Sequence, residues 1–238
     1  MQLTLFNGSP RGKKSNTRIL LDHFTRGFEQ ADDCKINLAY LVHHRVVQKH
    51  VDLFKTSENV IVAFPLYTDA MPGIVKYFFE ALAPFCGREG NPRLGFIVQS
   101  GFPEAAHSCY VERYLEKLAK RLGCEYLGTV VKGGVEGIQV MPPWMTKKLF
   151  QTFFQLGTDF ASTGTFNPDL LKSLAPRDQM SFGRIQFMKT MQRLGLTNFY
   201  WNSQLKRNGV FDQRFAQPYK EVNTRNRGVP SYNNRPNK

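Results

Sequence analysis

The stretch Leu3-Thr4-Leu5-Phe6-Asn7-Gly8-Ser9-Pro10-Arg11-Gly12-Lys13-Lys14-Ser15-Asn16-Thr17 decides how the chain is read. It opens with a short apolar run, the pattern of a buried strand, and turns at once into a loop of glycine, hydroxyl and basic residues. After the loop, Ile19, Leu20, Phe24 and Phe28 recur at helical spacing. Strand, polar loop and helix in that order form the first half of a βαβ unit, whose next strand lies parallel to the first.

The same alternation continues outward. Residues 35–41 alternate as a second strand, and Val60-Ile61-Val62-Ala63-Phe64 is a continuous apolar run, typical of a strand covered on both faces. Pro65 ends that strand, and Pro72-Gly73 opens a helix carrying Ile74, Val75, Phe78, Phe79 and Leu82. Gly95-Phe96-Ile97-Val98 is a fourth strand. Val111, Tyr114, Leu115, Leu118 and Leu122 then mark a helix stopped by Gly123, and residues 126–131 supply a fifth strand. Five strands alternating with helices predict an α/β fold with a doubly wound five-stranded parallel sheet.

Beyond Gly137 the strand signal fades. Pro142-Pro143 begins a helical stretch with Leu149, Phe150, Phe153, Phe154 and Leu156 apolar, and a further helix is expected from Ser181 to Leu194. The expected organisation is a sheet domain over 1–137, a mainly helical extension over 138–216 packed on it, and a basic, extended or disordered tail over 217–238.

The net charge of +13 is uneven. From Lys172 to Lys238 thirteen Lys/Arg face Asp178, Asp212 and Glu221, a net +10, which leaves +3 for residues 1–171. Such an appendage attracts anionic partners in general and selects none of them. The four cysteines are scattered without C-x-x-C spacing, and neither a secretory signal nor a membrane span is visible, so a reducing cytoplasm is the expected setting.

In a sheet of this kind ligands bind beyond the carboxyl ends of the strands, where the loops after strands one, three and four converge. In the first loop Gly12 gives backbone freedom, Ser9, Ser15 and Thr17 offer hydroxyls, and Arg11 adds charge. Its N–H groups and the helix start behind it suit a phosphate; the alternative is an ordinary loop capped by Asn16 or Thr17. The spacing fits neither G-x-G-x-x-G nor a P-loop, which disfavours a Rossmann dehydrogenase or an NTPase.

The second loop, Pro65-Leu66-Tyr67-Thr68-Asp69-Ala70-Met71-Pro72-Gly73, suits a flat heteroaromatic ring, with apolar contacts on its face and main-chain hydrogen bonds on its polar edge. Tyr67 and Met71 equally suit packing on the helix that follows. The third loop, Gln99-Ser100-Gly101-Phe102-Pro103-Glu104, puts Ser100, Gly101 and Phe102 where the other end of such a ring would lie; Glu104 fits a helix-terminus charge as well. His43, His44 and His50 diverge on any regular backbone and read as a solvated polar loop, so no metal is expected. No triad or carboxylate dyad is apparent, and no catalytic side chain is assigned.

Two runs carry a family likeness. Asn7-Gly8-Ser9-Pro10 through Ser15-Asn16-Thr17, then Phe64-Pro65-Leu66-Tyr67 with Pro72-Gly73-Ile74-Val75-Lys76, resemble the NADPH-dependent FMN reductase and iron-sulfur flavoprotein group of the flavodoxin-like superfamily over residues 1–135. The resemblance implies a flavodoxin-like FMN-binding domain in which Ser9, Arg11, Ser15, Asn16 and Thr17 hold the FMN phosphate while Pro65, Leu66, Tyr67 and Gly101 line the isoalloxazine. It also implies a homodimer that takes electrons from NADPH or NADH and delivers them to a small-molecule electron acceptor, a quinone, a flavin or another compound.

Two departures narrow the likeness. Residues 42–50 lack the closely spaced cysteines of the iron-sulfur branch, and Phe79-Glu80-Ala81 stands where the reductases usually continue to an Asp-Arg pair. The competing expectations are a flavodoxin-type electron carrier without nicotinamide activity, and a regulatory or nucleic-acid-binding protein on the same scaffold. No nucleic-acid module accompanies the basic tail, so no specific nucleic acid is expected as partner. The aromatic helix from Trp144 to Phe154 suits a dimer contact, a cover over the flavin, or attachment to a membrane surface.

Overall fold

The structure, a computed structural model, describes residues 1–102, 108–175, 182–195 and 198–217. Its sheet contains β1 (Gln2–Asn7), β2 (Lys35–Tyr40), β3 (Asn59–Pro65), β4 (Arg93–Gln99) and β5 (Tyr126–Lys132). All pairings are parallel and the order is β2-β1-β3-β4-β5, the expected doubly wound topology. The inner strands show why the apolar runs were unbroken: every residue of β3 is buried, and alternate side chains serve opposite faces.

On one face Phe6, Val60, Val62 and Phe64 join a core with α2 (Val47–Thr56), α3 (Gly73–Ala81) and α4 (Cys109–Leu122). On the other, Leu3, Leu5, Ile61 and Ala63 meet α1 (Asn16–Phe28), α5 (Pro143–Thr163) and α6 (Pro168–Leu174). The α1 and α5 helices cross at two glycines. A Cβ built on Gly27 would lie 1.9 Å from the Phe154 carbonyl oxygen, and one on Gly157 would lie 2.0 Å from that of Phe24.

Met1–Ser181 and Phe182–Lys238 are two compact units. The first half of the extension, with α5 and α6, therefore belongs to the sheet unit. The α6 helix was not anticipated, although its start is signalled: Pro168 occupies its first position and the Asn167 side chain accepts from Asp169 and Leu170 N–H. The second unit contains α7 (Phe182–Arg193), where a helix was expected, and α8 (Phe199–Arg207), where none was. Residues 218–238, nearly all of the expected tail, lie outside the described residues.

Residues 42–50 depart from the solvated loop expected there. The chain makes a short 3-10 turn at His44–Val46 and enters α2, which buries His50, Val51 and Phe54. The reason is spacing: these three side chains share one helical face, and the His50 ring meets Phe6 edge-on at 6.0 Å between centroids. Among the described residues no group of three or more His, Cys, Asp or Glu could hold a metal ion.

Burial, and secondarily the charge of His43, lowers the His50 pKa below its ordinary value. The unfolded chain therefore binds this proton more readily than the folded one, and the His50 contribution to stability is lost as pH falls through and below about 6.5. The expected result is a Tm that drops between pH 7.5 and pH 5.5, with a smaller drop in His50→Gln, measured by thermal scans at both pH values. An unchanged pH dependence in the variant would remove His50 from the account.

Candidate functional site

β1 is flanked by β2 on one side and β3 on the other, so the loops after β1 and β3 diverge and leave a crevice at their carboxyl ends. One cleft there is lined by Ser9, Arg11 and Asn16 from the first loop, Pro65, Leu66 and Tyr67 from the second, Gln99, Ser100 and Gly101 from the third, and Glu136 from a fourth. Eight of the candidate cofactor-binding positions thus meet, together with Gln99, which opens the third loop without being a candidate itself, and Glu136, which lies outside the three loops. Gly12, Ser15, Thr17, Thr68, Asp69, Met71 and Phe102 do not line it.

The first loop is held from below. Gly8 N–H donates to Ala63 O at 2.7 Å and Ser9 N–H to the Asn7 side chain at 2.9 Å. Gly8 must lack a side chain, because a Cβ would fall 2.3 Å from Val75 Cγ2. The chain then closes a turn, with Gly12 N–H donating to Ser9 O at 2.9 Å and Gly12 at φ +53°. Ser15 caps α1: its Oγ accepts from Arg18 N–H at 3.0 Å and donates to Gly12 O at 2.7 Å.

A helix start leaves its first amides without intrahelical partners, and the cap takes up that of Arg18. The amides of Asn16 and Thr17 remain as donors for an anion. The side chains of these residues are engaged elsewhere. Asn16 Nδ2 donates to Val135 O at 2.8 Å and to Glu136 O at 3.2 Å, while its Oδ1 accepts from Gln139 at 2.8 Å. Thr17 Oγ1 accepts from Gln99 at 3.3 Å. Asn16 and Thr17 thereby tie the first loop to the loop after β5 and to the end of β4.

In the second loop Tyr67 and Ala70 exchange both backbone hydrogen bonds, at 2.9 and 3.2 Å, around Thr68 at φ +49° and Asp69 at φ +61°. Two successive positive φ values define a type I′ turn, which glycine and asparagine ordinarily occupy. Holding Thr and Asp there costs about 1–2 kcal/mol per residue, and strain of this sort collects at binding loops. The turn leaves Tyr67 half-exposed on the cleft while Met71 packs against the core beside α3. For Met71 the structural role is the one seen.

The third and fourth loops are laced together. Leu66 N–H donates to Gln99 O at 2.8 Å, Ser100 N–H to Lys132 O at 3.0 Å, and Val135 N–H to Ser100 O at 3.1 Å. Phe102 O accepts from Gly134 N–H at 2.7 Å, and Phe102 itself stands exposed beside the cleft. Glu104 lies outside the described residues. Glu136 comes from a fourth loop, the one after β5, which the reading of the loops after strands one, three and four does not include. The signal was present, since Gly133-Gly134-Val135-Glu136-Gly137 is a glycine-dense turn directly after the last strand.

Electrostatically the cleft has a basic entrance. Arg11, Lys13 and Lys14 are exposed, and no acid occurs between Asn7 and Arg18. Arg18 is neutralised by Asp22 at 2.6 Å. Among the lining residues Glu136 supplies the carboxylate. One polar atom is unsatisfied: Ser100 Oγ is buried and has no hydrogen-bond partner among the described residues.

A buried hydroxyl without a partner costs about 1–3 kcal/mol, which a ligand atom reaching it would recover. Ser100→Ala is therefore expected to leave the ligand-free protein as stable as the parent or slightly more stable, while weakening whatever fills the cleft. Thermal melts with and without FMN check this. A variant destabilised equally in both conditions would show that Ser100 serves the fold alone.

No family model matches the sequence, and no curated protein does either. Solved structures do. An FMN-dependent NADH-azoreductase from Bacillus anthracis in complex with FMN superposes with a TM-score of 0.52 at 14% identity, covering 68% of this chain and 100% of that one. An NAD(P)H:quinone oxidoreductase from Methanothermobacter marburgensis gives 0.54 at 13% identity, over 67% and 96% of the two chains. An NADH:FMN oxidoreductase in its apo form gives 0.51 at 16% identity, over 71% and 92%. At such identities the likeness establishes the fold: the chain has the flavodoxin-like architecture.

Proposed function

We propose that this protein is an FMN-dependent NAD(P)H oxidoreductase that passes electrons to a small-molecule acceptor such as a quinone or a flavin. The observation that carries the reading is the convergence on one cleft of Ser100, whose buried hydroxyl has no hydrogen-bond partner among the described residues, with Arg11 and the N-terminus of α1. That donor set fits a ligand with a phosphate at one end and a polar-edged ring at the other. Solved structures of the same architecture include FMN-dependent reductases, one of them with FMN bound, which supports the choice of ligand.

In this reading Ser9, Arg11 and the amides of Asn16 and Thr17 hold the phosphate. Pro65, Leu66, Tyr67 and Gly101 bound the ring, and Ser100 hydrogen-bonds its edge. Bound there, FMN supplies the redox chemistry itself, accepting a hydride from a nicotinamide and yielding electrons to the acceptor. The residues of this chain orient the ring, exclude water from one side of it and leave the other side open for the two substrates to alternate. A homodimer and a cytoplasmic setting belong to the same proposal.

The test is a spectrum. Purified protein incubated with FMN and freed of excess should retain a flavin absorption band, and NADPH or NADH should bleach it in the absence of air. Retained flavin that neither nicotinamide bleaches would replace the enzyme by a flavodoxin-type carrier, and failure to retain flavin would overturn the site.

A further inference from the structure

In the second compact unit the described residues 182–195 and 198–217 present apolar and basic groups together. Along α7 and at the residue just after it, Phe187, Met191 and Leu194 fall at positions i, i+4 and i+7, with Met188 beside them, and form one stripe. Most of the stripe is in water: Phe187 is 63% exposed, Leu194 64% and Met188 41%, while Met191 is half-buried. Lys189 and Arg193 stand one turn apart on the other side of the helix. In α8, Trp201 is 59% exposed, and Lys206 and Arg207 end the helix. Phe215 follows at 79% exposure, with the Arg214 guanidinium 4.8 Å from its ring centre.

Exposed large apolar side chains in such number mark an interaction surface, and the charge limits what can cover it. From residue 182 to 217 six Lys/Arg face Asp212, a net +5. A second copy of this surface would set +5 against +5. A single-stranded nucleic acid would match the charge and stack on the rings, but it has no use for the aliphatic Met188, Met191 and Leu194. An anionic bilayer takes both at once, because its headgroups meet Lys and Arg while the boundary of its acyl region receives Phe, Trp, Met and Leu. Among the described residues no helix is long and apolar enough to cross a membrane, so the helices would lie along the surface.

We propose that α7 and α8 dock this protein on an anionic lipid surface, with the Phe187, Met191 and Leu194 stripe that runs along α7 and just past its end, and the Trp201 side of α8, facing the lipid. The inference is independent of the flavin reading, since vesicle binding needs no cofactor and is measured without one.

The experiment is co-sedimentation of the full-length chain with vesicles of phosphatidylcholine alone and of phosphatidylcholine mixed with phosphatidylglycerol, at low and high salt. The expected result is binding at least about tenfold tighter to the mixed vesicles, weakened by salt, with a blue shift of tryptophan emission that Trp201→Phe reduces. The double variants Phe187→Ser/Leu194→Ser and Lys189→Glu/Arg193→Glu should each lose about tenfold or more of the binding, with circular dichroism and Tm unchanged because all four side chains are exposed.

Equal binding to both vesicle types, or binding to neither, overturns the proposal. So does wild-type binding by the Phe187→Ser/Leu194→Ser variant, which would reduce the contact to charge alone. Retention by an oligonucleotide that vesicles do not compete away would assign the surface to nucleic acid, and self-association abolished by the same substitutions would assign it to a second copy.

Discussion

Gly157→Ala is expected to melt about 10 °C below the parent protein. The added Cβ would lie 2.0 Å from the Phe24 carbonyl oxygen, 2.8 Å from Phe28 N and 2.9 Å from Phe24 C, all main-chain atoms of α1. No rotamer change relieves a clash with backbone, so the two helices must separate and carry Phe24, Phe28, Phe153 and Phe160 with them. Overpacking a core costs about 1–3 kcal/mol when side chains can adjust, and more when they cannot. For a chain of this size each kcal/mol lowers Tm by roughly 2–4 °C.

Gly27→Ala should do the same, because its Cβ would meet the Phe154 carbonyl carbon at 2.8 Å and its oxygen at 1.9 Å. Once the helices are apart the second substitution adds little, so the double variant is expected to fall short of the sum of the two. Gly73→Ala is the comparator. It lies at the start of α3 in the same compact unit, nothing stands within 4 Å of its Cβ position, and alanine favours the helix by about 0.5–1 kcal/mol. If Gly157→Ala and Gly73→Ala melt alike, the α1–α5 contact is not as close as described.

This contact also shows where sequence reading stops. Gly27 and Gly157 sit 130 positions apart inside ordinary helical patterns, and a helix tolerates one glycine without betraying why it is there. By contrast β3 and β4 were legible because burial on both faces writes itself as an unbroken apolar run, and Gly123 was legible because a helix that ends in the left-handed region, here at φ +78°, selects glycine. The α2 helix was hidden by His50. Scored as polar, it breaks the His50, Val51, Phe54 face that the folded chain buries.

The site divides along the same line. Ser9, Arg11, Pro65, Leu66, Tyr67, Ser100 and Gly101 could be proposed together because each lies at or just beyond a strand end, and the topology alone delivers strand ends to one edge of the sheet. The engagement of Asn16 with Val135, Glu136 and Gln139 could not be foreseen, since hydrogen bonds across some 120 residues leave no local signature. Local pattern names the loops; long-range contacts decide which of their side chains are free to act.

Arg11→Glu is the sharpest test of what the first loop holds, and FMN affinity is expected to fall about a hundredfold to a thousandfold. A hydrogen bond to a charged group contributes about 1.5–3 kcal/mol, which is roughly ten- to a hundredfold in affinity, and a carboxylate in its place adds repulsion against the phosphate. The Arg11 side chain is exposed and makes none of the loop's hydrogen bonds, which its backbone supplies through Ser9 and Lys14. The stability of the apo protein should therefore stay within about 0.5 kcal/mol of the parent. Lys13→Glu and Lys14→Glu change the charge equally on exposed side chains that do not line the cleft, and salt screening should hold their effect below about tenfold. Flavin titrations by fluorescence quenching separate the three. Equal, small and salt-dependent losses would mean that the loop supplies only a diffuse positive field, and that its turn exists to cap α1. A large loss confined to Arg11→Glu, with Ser100→Ala weakening the same ligand from the opposite wall, would fix both ends of one bound molecule.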